Sequence, residues 1–551
     1  MTRDKTWYTT RGVLLAALIL SLALKIPNLG IGSPHVTIDD DTAYNGGFLV
    51  WFGNAPPQRM YLESWVIGAT SLATYVAKVT QAGHASGLGT NLVADAYRDF
   101  HNHPDTYVRV YRTLMLLADL LTAAVVFALG RAVLRGDSRR WAPFVAAALY
   151  LLAYNTVWCD VVARPDTLTT LFGVLGLLGY YRSDFGRLKQ PFFLGAIAFG
   201  LCAGMKLHGS LFVVFILCDL VRQHGLRRGV ATAFPFVLVS VAVFAVAAGT
   251  PLFDPLKYVK LRMLNVADDK SPWLKWGDEI VTALRGAGWL FPPLVAWGAV
   301  MAWRERGRPE SAVLRSVTLL ACCWLALFLG TRQLRAYWML PALPLFFVAG
   351  LAALERLPRP RLVVPAVVGL LLLVMGWQSV GQARELHGIR FGELRAWVRQ
   401  NVRSEEPFYI FGFSALDVPQ NTLCMSRVRQ GLERGLAQDL AAGLPHIQRH
   451  VKNWEEESSL ALMDMLGYRN DEGYEFYSYY GAPLDRFAGI IDIDNMKYLL
   501  VQEGFENPAD FPLQKYLAAH FVEVASNLTG SGGGRNGLHY RVFRRREQEG
   551  S

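Results

Sequence analysis

Three adjacent carboxylates, Asp39, Asp40 and Asp41, follow the first long apolar stretch of the chain, with Tyr44 three residues on. At a membrane surface water is scarce, so a carboxylate there tends toward a raised pKa and can serve as a general base. Repulsion among three neighbours raises the pKa of one of them further. The same acids can equally form a solvated loop or a helix N-cap, and the triplet alone does not decide between these readings. Carboxylate oxygens also suit a divalent cation, so a metal at Asp39, Asp40 and Asp41 stays open. Cations supply the complementary chemistry. Arg112 opens the second apolar segment, Arg164 and Asp166 stand in Ala163-Arg-Pro-Asp166, and Lys206 and His208 occupy a tight turn between two short apolar segments. Arg332 and Arg335 precede a further segment that begins at Tyr337. A bare cation near hydrocarbon is costly unless paired, and a phosphate is the natural partner for Lys206 and His208. Plainer roles stand beside these. Arg112 can snorkel or pair with Asp41. Arg164-Pro-Asp166 is also a good helix start, with Pro in the first turn and an acid at the positive end. On balance Arg164 reads as structural and Asp166 as a site residue. Arg332 and Arg335 either bind phosphate or anchor a helix end.

The elements that must position these groups are membrane spans. The 551 residues are 52% hydrophobic, with a mean hydropathy of +0.23. That is too apolar for an ordinary soluble enzyme and indicates a polytopic membrane protein with one aqueous domain. Eleven apolar segments recur, at roughly 12–29, 108–134, 141–158, 168–181, 192–205, 207–220, 230–248, 281–303, 312–330, 337–354 and 362–380. Arg3, Lys5 and Arg11 precede the first, but no small-residue cleavage site follows it, so it reads as an uncleaved span. Arginines cluster in every second loop, as in Arg131/Arg135/Arg139/Arg140 and Arg356/Arg359/Arg361, and the positive-inside rule places those loops in the cytoplasm. Most of the +10 net charge lies there, which removes the need for a nucleic-acid partner.

The complementary loops, which hold every candidate above, then face outward. The first of them, 30–107, carries a membrane-skimming helix over 61–80. An odd number of spans puts residues 381–551 outside as well. Their composition is that of a soluble α/β domain, with helices at 390–402, 431–442 and 454–466 and strands at 408–413, 498–501 and 540–543. Asn527-Leu-Thr529 matches the glycosylation sequon, a common chance match. The six cysteines build neither a disulfide framework nor a C-x-x-C pair.

Five stretches together resemble the GT-C glycosyltransferases that use polyprenyl-phosphate sugars, the protein O-mannosyltransferases and lipid A aminoarabinose transferases in particular. They are Asp40-Asp41-Thr-Ala-Tyr44 with Gly46-Gly-Phe48, the span from Arg112 to Arg131, Val162-Ala-Arg-Pro-Asp-Thr-Leu168, Gly200-Leu-Cys-Ala-Gly-Met-Lys206, and Arg335-Ala-Tyr-Trp-Met-Leu-Pro341. They occur in the family's order, over about residues 12–354. The resemblance implies a polytopic α-helical membrane protein of about 11 transmembrane helices, GT-C-like, in which residues 1–380 form the catalytic module. Residues 381–551 form a C-terminal extracytoplasmic α/β domain that resembles nothing nameable. It implies inverting transfer from a polyprenyl-phosphate sugar donor to a hydroxyl of a protein, lipid or glycan acceptor, on the outer face of the plasma membrane. It further implies Asp40 as the base, with Asp39 or Asp41 as alternatives. Substrate contacts would come from Tyr44, Arg112, Arg164, Asp166, Lys206, His208, Arg332, Arg335 and Tyr337. The chain departs from the family pattern at Ala55-Pro-Pro-Gln58, which no apolar run follows, and at Asp41, where Glu is commoner. A transporter is the second reading, since intramembrane charges also mark transport paths. A non-catalytic envelope-assembly subunit is the third.

Overall fold

The computed structural model describes residues 2–30, 44, 46–48, 50–51, 61–82, 91–134, 136–159, 165–183, 189–248, 277, 281, 286, 289, 291–305, 310–331, 336–354, 356–357, 360–388, 392–412, 418–424, 426–427, 430, 473–478, 484, 491–505, 511–530 and 538–546. Contacts divide the chain into two compact units. The first comprises Met1–Leu29, Ala55–Trp65 and Arg112–Arg384, and the second Gly30–Asn54, Val66–Tyr111 and Glu385–Ser551.

Helices occupy nearly all described residues up to Gly388: α1 (Thr2–Lys25), α2 (Tyr61–Gln81), α3 (Leu92–Asn102), α4 (Pro104–Val133), α5 (Ser138–Leu151), α6 (Tyr154–Cys159), α7 (Asp166–Arg182), α8 (Gln190–Met205), α9 (Leu211–His224), α10 (Leu226–Ala248), α11 (Phe291–Arg304), α12 (Glu310–Thr331), α13 (Leu343–Leu354) and α14 (Pro360–Gly388). Among the described residues four helical stretches are long and apolar enough to cross a membrane: Thr10–Gly30, Pro104–Val133, Leu226–Ala247 and Val363–His387. Shorter apolar helices cover Gln190–Met205, Leu314–Trp324 and Met339–Leu354.

Three expected spans differ in detail. The segment at 141–158 is two helices, because the chain breaks after Leu151 and resumes at Tyr154. The carbonyl of Leu152 at that break is satisfied by Ser379 Oγ of α14, 2.6 Å away, as a buried backbone group requires. The segments at 207–220 and 337–354 each begin with a short 3₁₀ turn, Leu207–Ser210 and Ala336–Ala342.

In the first unit, α7 packs against α8 and α8 against α10, while α13 packs against α5 and α11. Small residues permit the close approach of α7 and α8. A Cβ on Gly179 would stand 2.6 Å from the Pro191 carbonyl oxygen, and one on Gly195 would stand 2.9 Å from that of Gly176. Stripes of this kind let membrane helices pack backbone to backbone.

The second unit contains a five-stranded sheet in the order β2-β1-β3-β5-β4, formed by β1 (Phe408–Phe411), β2 (Phe476–Ser478), β3 (Tyr498–Gln502), β4 (Phe521–Gly530) and β5 (Leu538–Arg545). The first three strands in that order are parallel and the remaining pairings antiparallel. Side chains alternate along β1 and β3 because successive strand residues point to opposite faces. Phe408, Ile410, Tyr498 and Leu500 join Leu394 and Val398 of α15 (Glu393–Asn401) in one core. Tyr409, Phe411, Leu499 and Val501 join Leu513 and Leu517 of α16 (Leu513–His520) in the other. Each fully buried Leu or Val contributes about 1.5–3 kcal/mol. The expected helix at 390–402 and the strands at 408–413, 498–501 and 540–543 match α15, β1, β3 and β5. The helices expected at 431–442 and 454–466 lie outside the described residues. Asn527 of the sequon sits within β4 at φ 55°, between two register shifts, so it marks a bulge in the strand.

Candidate active site

The α7–α8 hairpin determines which polar groups meet in the first unit. Its helices are antiparallel neighbours, so the start of α7 lies beside the end of α8. There Asp166, fully buried at the first position of α7, accepts a 2.7 Å hydrogen bond from Lys206 Nζ through Oδ1. Asp166 Oδ2 has no hydrogen-bond partner among the described residues. Lys206 follows α8 in an extended conformation, and its side chain is 18% exposed. The turn then tightens around Gly209, where a Cβ would stand 2.6 Å from the Cys202 carbonyl oxygen. Glycine is the residue that fits such an approach. His208 lies in that turn with its ring edge-on to Trp324 at 5.9 Å, and Trp324 packs on Phe212 at 4.8 Å. The cation expected to await a phosphate therefore has a counter-charge within the protein, one separated from it by 40 positions.

Arg112 is buried and donates from Nη1 to the Leu29 carbonyl at 3.1 Å. Two turns further along α4, Asp119 forms a buried ion pair with Lys25 of α1. Sequence reasoning anticipated a polar partner for Asp119 but missed Lys25. The signal was present, because Lys25 and Asp119 are lone opposite charges in the first two apolar segments.

In the second unit, Tyr44 is buried among aromatic rings. It stacks on Phe100 at 5.0 Å and meets Tyr111 edge-on at 6.1 Å. Phe48 packs on Tyr97 and Phe100 at 5.2 and 5.5 Å. Gly47 crosses Gly68 of α2 so closely that a Cβ on Gly68 would stand 2.4 Å from the Gly47 carbonyl oxygen. At the other end of the acidic stretch, the Arg109 guanidinium lies 3.5 Å from where a Cβ on Gly30 would be. Residues 31–43 are thus bracketed by two anchors, and Tyr44 is one of them. Lys78 and Tyr107 both bond Asp99 on α3. His101 bonds the Gln420 backbone, and burial outweighs that bond to push its imidazole down to about 4. It is therefore neutral near pH 7 and serves as a packing group.

Asp39, Asp40, Asp41, Arg164, Arg332 and Arg335 lie outside the described residues. Tyr337 falls in the 3₁₀ turn Ala336–Ala342. Among the described residues no group of three or more His, Cys, Asp or Glu side chains could hold a metal ion.

Residues 104–330, from the start of α4 to the last turn of α12, match the family model for glycosyltransferase family 87. No curated protein matches the chain in sequence. Among solved structures, the chain is similar to ArnT from Cupriavidus metallidurans bound to undecaprenyl phosphate. That match has 13% identity and a TM-score of 0.48, covering 96% of this chain and 98% of that one. It is also similar to the Archaeoglobus fulgidus oligosaccharyltransferase, with 11% identity and a TM-score of 0.48, covering 89% of this chain and 68% of that one. With glycosyltransferase family 87 sequence running through α4 to α12, the chain is a membrane glycosyltransferase.

Proposed function

We propose that the chain moves a sugar from a polyprenyl phosphate to an acceptor hydroxyl, with inversion, on the outer face of the plasma membrane. The carrying observation is the Asp166–Lys206 pair at one end of the α7–α8 hairpin, inside the family-matched segment. In this reading Asp40, with Asp39 or Asp41 as alternatives, takes the proton of the acceptor hydroxyl. The acceptor oxygen bonds to the anomeric carbon as the bond from that carbon to the phosphate oxygen breaks. The electron pair leaves with the phosphate, whose growing charge Lys206 stabilises more in the transition state than in the ground state. Asp166 orients the ammonium and keeps it charged beside hydrocarbon. Arg164, His208, Arg332, Arg335 and Tyr337 complete the donor site, Arg112 holds the end of the first span, and Tyr44 positions the acidic loop. If a divalent cation binds Asp39, Asp40 and Asp41, it would add charge stabilisation at that loop.

Topology supports the outward placement of the tail. Asp105, just before the second span, bonds Arg395, just after the last one. Both must lie on one side of the membrane, so an even number of crossings separates them. Ten crossings between those points, hence eleven spans in all, satisfy this, and the arginine-rich loops put the shared side outside.

A panel of polyprenyl-phosphate sugars, offered with protein, lipid and glycan acceptors, tests the reaction. Asp40→Asn should keep donor binding and lose turnover by about 100-fold or more. Lys206→Ala should lower single-turnover transfer more than donor affinity. Wild-type transfer by both variants would falsify the assignment.

A further inference from the structure

Within the second unit, the carboxyl-terminal domain grips the helices that carry the acidic loop. The Arg395 guanidinium meets the Asp105 carboxylate with both prongs, Nη1 to Oδ1 at 3.1 Å and Nη2 to Oδ2 at 3.3 Å. Arg395 is 11% exposed and Asp105 43%. The arginine is itself held in place, because its neighbours Leu394 and Val398 are buried in the sheet core. Asp105 stands in the first turn of α4. Three residues before the start of that helix, His101 in the last turn of α3 bonds the Gln420 backbone. Both contacts therefore fall on the α3–α4 corner. The same corner supplies Phe100 and Tyr111, which hold Tyr44, and Arg109, which lies against Gly30. Residues 31–43, with Asp39, Asp40 and Asp41 among them, hang between those two anchors.

We infer that Arg395 is a positioning residue for the acidic loop, acting through Asp105 to orient the α3–α4 corner and touching neither donor nor acceptor. A bidentate guanidinium suits this task, because two parallel bonds fix orientation as well as distance. The inference rests on the reading of the acidic stretch as the source of the base. In that reading, a misplacement of about 1 Å far from the chemistry can cost up to about 100-fold in rate. The carboxyl-terminal domain thereby becomes part of the catalytic apparatus.

The test uses the full-length protein in lipid nanodiscs, with Arg395→Ala, Arg395→Lys, Asp105→Asn and Asp40→Asn. Hydrogen exchange is followed over residues 31–54, 92–111 and the β1 and β3 strands. Transfer is measured with whichever polyprenyl-phosphate sugar the wild type turns over. Arg395→Ala and Asp105→Asn should each speed exchange at 31–54 by about tenfold and lower kcat by about tenfold, with donor KM within about twofold of wild type. Arg395→Lys should fall between them and wild type. Unchanged exchange at 31–54 in both charge-removing variants overturns the proposal, and so does a rise that includes β1 and β3, the mark of domain unfolding. An active Asp40→Asn beside a loosened loop in Arg395→Ala would remove the base assignment and leave the clamp standing.

Discussion

Two buried aspartates in the first unit, Asp166 and Asp219, show no solvent exposure and stand toward opposite ends of the α7–α9 helices, yet their surroundings differ sharply. Asp219 Oδ1 accepts from Arg222 Nε and Nη2 at 3.1 and 2.6 Å. Its Oδ2 accepts from Tyr180, Ser316 and Gln223 at 2.8, 2.9 and 2.7 Å. Asp166 accepts one bond, from Lys206, and its second oxygen has none among the described residues. A fully satisfied buried carboxylate ties helices together. One left with an open oxygen calls for an explanation, and a functional role is among the usual ones. The comparison separates a structural node from a site within one helical group.

The largest effect should come from breaking the node. Asp219→Ala leaves Arg222 without its partner and strips acceptors from Tyr180 and Ser316, so it should cost about 3–5 kcal/mol in detergent unfolding. Asp166→Asn should instead cost about 1 kcal/mol, since Lys206 is partly exposed and an acceptor oxygen remains. Its transfer rate should fall about tenfold, as Lys206 loses its orienting charge. Unfolding curves and single-turnover rates measured on the same preparations decide this. If Asp166→Asn unfolded as readily as Asp219→Ala while its folded fraction transferred normally, the two aspartates would be equivalent and the contrast lost. Ser316→Ala is the mildest probe. Removing one of five donors to Asp219 should cost about 1 kcal/mol and leave transfer unchanged.

The helical frame was legible in the sequence because hydrophobic length and arginine placement are local signals. Lys206, His208 and Asp166 stood out as charges beside short apolar runs. Their pairing did not, since it depends on the Gly179/Gly195 approach that folds α7 onto α8. The break at Leu152 was also hidden. The residues around it are as apolar as a continuous span, and the deciding partner, Ser379, is 227 positions away. Asp219 drew no attention because a lone acid near Arg222 resembles an ordinary end-of-helix pair. In the tail, period-two alternation revealed β1 and β3. It failed for β4, where exposed Val522, Glu523 and Val524 run consecutively. Tyr44 was read as a substrate contact because of its spacing from the acidic triplet. Its ring contacts place it in an aromatic core formed with α3 and α4.

The bond between Asp105 and Arg395 spans 290 positions of the chain. Protein synthesis is vectorial, at about 5–20 residues per second, so Arg395 is made about 15–60 s after Asp105. For that interval the α3–α4 corner exists without its clamp, while the intervening membrane helices are still being inserted. The acidic loop therefore gains its last support only after the final span is in place. A ribosome stalled before residue 395, or a chain cut there, would yield a complete set of membrane helices around a loop that has never been drawn into position.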